Sequence, residues 1–264
     1  MTRNEYMHDE DAMKAYWKEW ENLENKKVWR WSTLCEWDDV AAQARAKDEE
    51  IHFGYLFGFM VIKGDEFPVG DIRRRYKYRI VFQGNNVKDQ NWEVALFQQM
   101  SCQPAMLDAA RAAECYSCFP GHDIGGRDVE QAYIADLKGP PTYVQLPKEL
   151  WTPEMHKMKF PVVRLEKALY GHKNSGVYWN EYCRDKCEQV GFEPMAENWS
   201  SVFWHPKKKI LLVIYVDDLL MTGPKDELPA MWTKLESFLK LAKPPETSTC
   251  LLYTSPSPRD LSTS

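Results

Sequence analysis

Between residues 9 and 26, the apolar positions Met13, Tyr16, Trp17, Trp20 and Leu23 recur every three or four residues, the spacing of one helix face. A second helix is expected over 39–49, with Asp38 as its cap. The period then changes. Residues 52–62 form an aromatic, strand-like run closed by the turn Lys63-Gly64-Asp65, and over 76–83 apolar and polar residues alternate. There Tyr76, Tyr78, Ile80 and Phe82 fall on one strand face, with Lys77, Arg79, Val81 and Gln83 on the other. Helical spacing returns over 103–118, where Met106, Ala109, Ala110, Ala113 and Tyr116 share a face. The Gly-rich stretch 121–126 reads as a loop leading into 127–133. Short strands follow at 142–146 and 161–165, then a helix over 175–190 that Gly191 ends as a C′ glycine. Two strands flank Pro206-Lys207-Lys208-Lys209, the second running through Asp217 and Asp218, and a last helix covers 225–239.

Helices and strands come in groups rather than in βα alternation, which predicts an α+β fold. The same pattern divides the chain into a helical N-terminal segment (1–50), one folded domain (51–243) and a tail (244–264). The tail is rich in Pro, Ser and Thr without apolar periodicity, so it is expected to be disordered and non-native to the domain before it.

Composition narrows the setting. No run of 18 apolar residues occurs and the first ten residues hold no hydrophobic signal region, so neither membrane insertion nor secretion is expected. Seven scattered cysteines, an odd number, point to a reducing intracellular, cytoplasmic environment. The net charge of −5 is uneven: residues 1–70 hold nine Lys/Arg and fifteen Asp/Glu, the remainder 25 and 24. Beyond the acidic front the chain is close to neutral, and composition neither supports nor excludes a polyanionic partner.

The strongest chemical signal lies in 210–221, Ile-Leu-Leu-Val-Ile-Tyr-Val-Asp-Asp-Leu-Leu-Met. Burying one carboxylate without compensation costs on the order of several kcal/mol, and a neighbouring one adds to it. No Gly, Asn or Pro flanks the pair, which weakens the reading as a plain solvent-facing β-turn. The segment reads instead as a metal-binding hairpin: a divalent cation would offset the charge, and hard oxygen donors suit Mg²⁺.

Four blocks in order resemble copia-type retrotransposon reverse transcriptases. Tyr215-Val216-Asp217-Asp218 resembles their Tyr-x-Asp-Asp box, and Lys77-Tyr78-Arg79-Ile80-Val81-Phe82-Gln83-Gly84 their Lys-Ala-Arg-Leu-Val-Ala-Arg-Gly block. Asp128-Val129-Glu130-Gln131-Ala132-Tyr133 with Tyr143-Val144-Gln145-Leu146-Pro147 is similar to a third block, and Leu169-Tyr170-Gly171-His172-Lys173-Asn174 with Trp179 to a fourth. The resemblance implies the fingers and palm of a right-hand polymerase, with an antiparallel palm sheet backed by helices and the Asp217/Asp218 hairpin next to the strand carrying Asp128. It implies RNA-directed DNA synthesis on a primed RNA or DNA template from dNTPs, with two Mg²⁺ ions, or Mn²⁺ in their place. Asp128 and Asp217 would be the main metal bridges, with Asp218 a third, less direct carboxylate. Taken alone, Asp128 reads as a turn or cap aspartate.

Tyr133 stands where the family carries an aromatic beneath the incoming sugar; its other reading is a core aromatic. Lys77 and Arg79 would grip the triphosphate, Asn174 and Tyr215 would contact the nucleotide, and Arg73-Arg74-Arg75 would meet template phosphates. Asn174 replaces a family Gln, and Ser175-Gly176 replaces Ala-Pro. The family's thumb, ribonuclease H and integrase portions of a parent polyprotein are not expected within this chain. The implied location is the cytoplasm or a virus-like particle. A palm that has lost catalysis and at most binds nucleic acid is the alternative; a two-metal nuclease is a weaker third reading. Cys115/Cys118 and Cys183/Cys187 lack the histidines and spacing of a zinc site and read as buried helical thiols.

Overall fold

The computed structural model describes residues 1–95, 97, 105, 107–130, 132, 134–196, 199 and 201–242. The expected tail, 244–264, and Tyr133 lie outside the described residues. In chain order the elements begin with α1 (Arg3–Tyr6), α2 (Glu10–Asn25), β1 (Trp29–Glu36), α3 (Trp37–Lys47), β2 (His52–Lys63), β3 (Arg75–Phe82) and β4 (Lys88–Asp89). They continue with α4 (Leu107–Ser117), β5 (His122–Asp128), β6 (Thr142–Gln145), β7 (Pro161–Leu165), α5 (Ser175–Gln189) and β8 (Glu193–Pro194). The last are β9 (Val202–His205), β10 (Ile210–Tyr215), β11 (Asp218–Pro224) and α6 (Leu228–Glu236). Two compact units result: Met1–Gln99 with Ile134–Tyr178, and Met100–Tyr133 with Trp179–Ser264.

The first unit is built on a sheet of order β1-β7-β6-β2-β3, with β4 paired to the start of β2; β2 and β6 run parallel and the other pairs antiparallel. The division does not fall at residue 50, because β1 pairs with β7 (Trp29↔Leu165) and ties the front of the chain into the sheet. That strand escapes a periodicity search, since only Trp29 of its eight residues is buried. Asp9 caps α2 by accepting from Asp11 and Ala12 N–H, both at 2.9 Å. The α2 stripe of Ala12, Tyr16, Trp20 and Leu23 is buried, and the Tyr16 ring lies 4.7 Å from that of Tyr78 on β3. Trp17, read from its spacing as inward, is instead half exposed at 52%. Helix α3 starts at Trp37, not after an Asp38 cap, and the Glu36 carboxylate before it accepts from Lys159 and Phe160 N–H.

The second unit holds an antiparallel sheet of order β5-β11-β10-β9-β8. Residues of α4 pack with Leu211, Val213 and Leu220 on one face, while Leu212, Ile214, Leu219 and Met221 join Cys183, Cys187, Met231, Trp232 and Leu235 on the other. Burial on both faces explains why 210–221 reads as an unbroken apolar run rather than an alternation. The Gly-rich stretch expected to be a loop is strand β5, laddered to β11 from Asp218↔Asp128 to Pro224↔His122. Tertiary pairing overrides the poor strand propensity of Gly125 and Gly126. Of the cysteines, Cys183 and Cys187 are buried, whereas Cys115 and Cys118 are exposed. No helix among the described residues is long and apolar enough to cross a membrane.

Candidate active site

The aspartate pair does not lie within one strand. Strand β10 ends at Tyr215, β11 opens at Asp218, and Tyr215↔Asp218 is their last pair, so Val216 and Asp217 form a two-residue hairpin loop. Such loops need positive φ, which glycine or asparagine usually supplies. Here Val216 takes φ +60°, an outlier for a β-branched residue. Both loop carbonyls are held from outside the hairpin: Trp179 Nε1–H donates to Val216 O at 2.5 Å, and Val129 N–H donates to Asp217 O at 2.6 Å.

Asp128 closes β5 directly across from Asp218, and the two carboxyl groups hydrogen-bond each other. Burial first, then the Asp128 hydrogen bond and the charges of Asp128 and Asp217, push the Asp218 carboxyl up to about 6. The backbone after Asp128 is anchored in turn: Ala242 N–H donates to Asp128 O at 2.8 Å and Glu130 N–H to Lys240 O at 2.9 Å. A 2.6 Å ion pair between Lys240 and Glu130 reinforces that contact. Among the described residues no three His, Cys, Asp or Glu side chains converge as a metal-holding group. What the fold brings together is the pair Asp128 and Asp218, with Asp217 in the adjoining loop. Two carboxyls in contact need a shared proton or a cation, and their oxygens are the donor type a hard divalent ion takes. Tyr215 is exposed beside the loop.

Lys77, Arg79 and Asn174 belong to the first unit. Lys77 and Arg79 lie on the less buried face of β3. Burial, with the like charges of Arg79 and Lys63, lowers Lys77 to about 8. Glu19 of α2 is nearly buried; desolvation raises its carboxyl, and Arg79 and Lys77 pull it back. The Arg79 guanidinium sits 5.0 Å from the Tyr170 ring centre. Tyr170 reaches β3 because two backbones meet closely: Phe82 N–H donates to Tyr170 O at 2.7 Å, and a Cβ on Gly84 would fall 2.1 Å from Gly171 O. Asn174 is held by its N–H to His172 Nδ1 at 3.2 Å, and its amide nitrogen lies 3.5 Å from Tyr178 Oη. Burial drops the His172 imidazole to about 4, so it stays neutral and able to accept. Arg73 and Arg74 pair within their own loop, with Asp71 at 2.6 Å and Asp65 at 2.8 Å.

Two residues that organise these sites carried no role in the sequence reading. Trp179 was legible as part of a block, but nothing in its spacing points to the Val216 carbonyl. The acceptor role of His172 is likewise invisible without the loop geometry.

The chain belongs to the reverse transcriptase (RNA-dependent DNA polymerase) family, whose model matches residues 66–244. Within it the chain is of the copia type. Its relatives include the truncated transposon Ty1-A Gag-Pol polyprotein of Saccharomyces cerevisiae, 32% identical over 96 residues, which are 36% of this chain and 7% of that protein. The transposon Ty1-DR4 Gag-Pol polyprotein of the same yeast matches at 32% over 96 residues, 36% of this chain and 5% of its own length. The aligned region is thus a small part of these curated relatives. Among solved structures, telomerase from Candida albicans in complex with a telomeric RNA fragment aligns over 81% of this chain and 45% of that one. The TM-score of that alignment is 0.37 and the identity 11%.

Proposed function

We propose that this chain contributes the fingers and palm of an RNA-directed DNA polymerase, the first unit as fingers and the second as palm. The observation that carries this reading is the carboxylate pair Asp128 and Asp218 set across neighbouring strands, next to Asp217 in a strained two-residue loop. Polymerisation needs a fixed cluster of acidic oxygens at a tip a primer end can reach, and a hairpin tip on a doubly buried strand provides both rigidity and access. Mg²⁺, two ions in this reading with Mn²⁺ as a substitute, would activate the primer 3′-hydroxyl and neutralise charge on the dNTP triphosphate. Asp128, Asp217 and Asp218 would hold those ions. Lys77 and Arg79 would bind the triphosphate, Asn174 and Tyr215 would orient the nucleotide, and Tyr133 would lie beneath its sugar and oppose a 2′-hydroxyl.

A second feature supports a nucleic-acid partner. On the exposed side of β2, Phe57, Phe59 and Val61 stand directly across from Val81, Arg79 and Lys77 of β3. The Phe57 and Phe59 rings are stacked, 6.1 Å apart at 29°. The paired aromatic faces suit a single-stranded template by stacking its bases, beside the Lys77 and Arg79 that would take the triphosphate. The test is primer extension on an RNA template: Mg²⁺-dependent incorporation by the chain, lost in Asp217→Asn, supports the reading. Incorporation unchanged by that substitution removes Asp217 from the chemistry.

The alternative is a palm that binds nucleic acid without polymerising. It is favoured by the fact that the three carboxylates do not converge as one group among the described residues. Template binding with no incorporation at any Mg²⁺ or Mn²⁺ concentration would select it.

A further inference from the structure

The β10–β11 loop contains a contradiction in local chemistry. Its first residue must adopt a left-handed backbone, yet that residue is a valine, whose branched Cβ crowds the backbone there. A valine left to itself would move to negative φ, rotating the peptide that links it to Asp217. Neither loop carbonyl takes part in the β10–β11 ladder, which ends at Tyr215↔Asp218. The external contacts therefore decide the loop's conformation.

We propose that Trp179 is a positioning residue for the acidic tip: its indole N–H holds the Val216 carbonyl and thereby fixes the left-handed turn that presents Asp217 and Asp218. The indole is suited to this, because Nε1–H is a donor only and cannot be satisfied by another donor. The ring is 6% exposed, in the cluster that also holds Ile214, Leu219 and Trp232, and it stacks on Tyr182 at 6.0 Å. Tyr182 Oη–H donates in turn to Phe238 O at 3.0 Å, which anchors the ring that Trp179 stacks on. The 2.5 Å bond thus links a rigid core to a strained tip. The same turn conformation lets Asp217 O accept from Val129 N–H, and Val129 directly follows Asp128. Releasing the indole bond would therefore loosen Asp217, Asp218 and Asp128 together. The assignment rests on the polymerase reading for its purpose, although the pin itself is a property of the fold.

The test is a double-mutant cycle with Trp179→Phe, which keeps an aromatic ring and removes the donor, and Val216→Gly, which takes positive φ without a steric penalty. Two readouts are taken on the full chain: the denaturation midpoint without metal, followed by circular dichroism, and Mn²⁺ binding followed by electron paramagnetic resonance. If Trp179 holds the turn, Trp179→Phe raises the Mn²⁺ concentration at half-saturation by about tenfold, and adding Val216→Gly restores most of it. The metal-free midpoint then falls less on Trp179→Phe in the Val216→Gly background than in the native one. Equal falls in both backgrounds, or a loss of Mn²⁺ binding that glycine does not rescue, would reduce Trp179 to packing and overturn the assignment. A native chain that binds no Mn²⁺ while the midpoints remain coupled would overturn the polymerase reading and leave the pin in place.

Discussion

Asp218→Asn should make the metal-free chain more stable at neutral pH and blind to Mg²⁺. In the native protein the Asp218 carboxyl titrates at about 6 instead of its ordinary 3.8, because it is partly buried against Asp128 and beside Asp217. A raised acid favours the protonated folded form. Its stabilising contribution is complete below about pH 4 and is lost as pH climbs through 6, where the Asp218 carboxyl ionises. Raising the carboxyl from 3.8 to about 6 corresponds to about 3 kcal/mol if fully sheltered. Screening by solvent at this partly exposed site reduces it to about 1–2 kcal/mol. Asparagine removes the repulsion and still donates its amide hydrogen to Asp128. At pH 8 without metal the variant should therefore melt higher than the native chain, by roughly 2–4 °C per kcal/mol. At pH 5, where the native carboxyl is already largely protonated, the two should melt within about 1 °C of each other by the same scale. Adding Mg²⁺ at pH 8 should raise the native melting temperature and leave the variant nearly unmoved. Thermal melts followed by circular dichroism at the two pH values, with and without Mg²⁺, give all four comparisons. A variant destabilised equally at both pH values would mean instead that Asp218 acts by ordinary packing.

Three further outcomes follow from the first unit and its loops. Lys77 titrates at about 8, so triphosphate affinity should decline as pH rises through that value, and Lys77→Arg should flatten the decline in a fluorescent-nucleotide titration. Gly171→Ala would place a Cβ 2.2 Å from Phe82 O at φ +88°, and should cost about 3 kcal/mol or more in urea unfolding. Burial drops the His172 imidazole to about 4, so its contribution to stability is complete above about pH 6.5 and is lost as pH falls towards 4. His172→Gln, which can still accept from Asn174 N–H, should flatten that acid limb in the same urea measurement.

Where an element's own residues decide its form, the sequence is readable. The stripe of α2, the alternation of β3, the C′ glycine after α5 and the strands on either side of Pro206–Lys209 all follow from local pattern. Where a distant partner decides, it is not. The Gly-rich β5 is a strand because β11 offers it a ladder, and β1 is a strand because β7 does. Two adjacent aspartates among apolar residues announced a site, and the four blocks announced the family. The hairpin at the pair was legible too, but the conformation of its turn was not, since a valine at positive φ is the last residue that turn chemistry would choose. Its conformation depends on an indole donor 37 positions earlier in the chain.

Asp128, Asp217 and Asp218 are proposed to hold the metal ions of nucleotidyl transfer. Anomalous scattering from a crystal of the chain grown with Mn²⁺, primed template and a non-hydrolysable dNTP would locate those ions. Two manganese peaks about 3.5–4 Å apart, bounded by the carboxylates of Asp128 and the hairpin tip, are expected. An ordered nucleotide with no manganese at those carboxylates, or manganese held elsewhere, would contradict it.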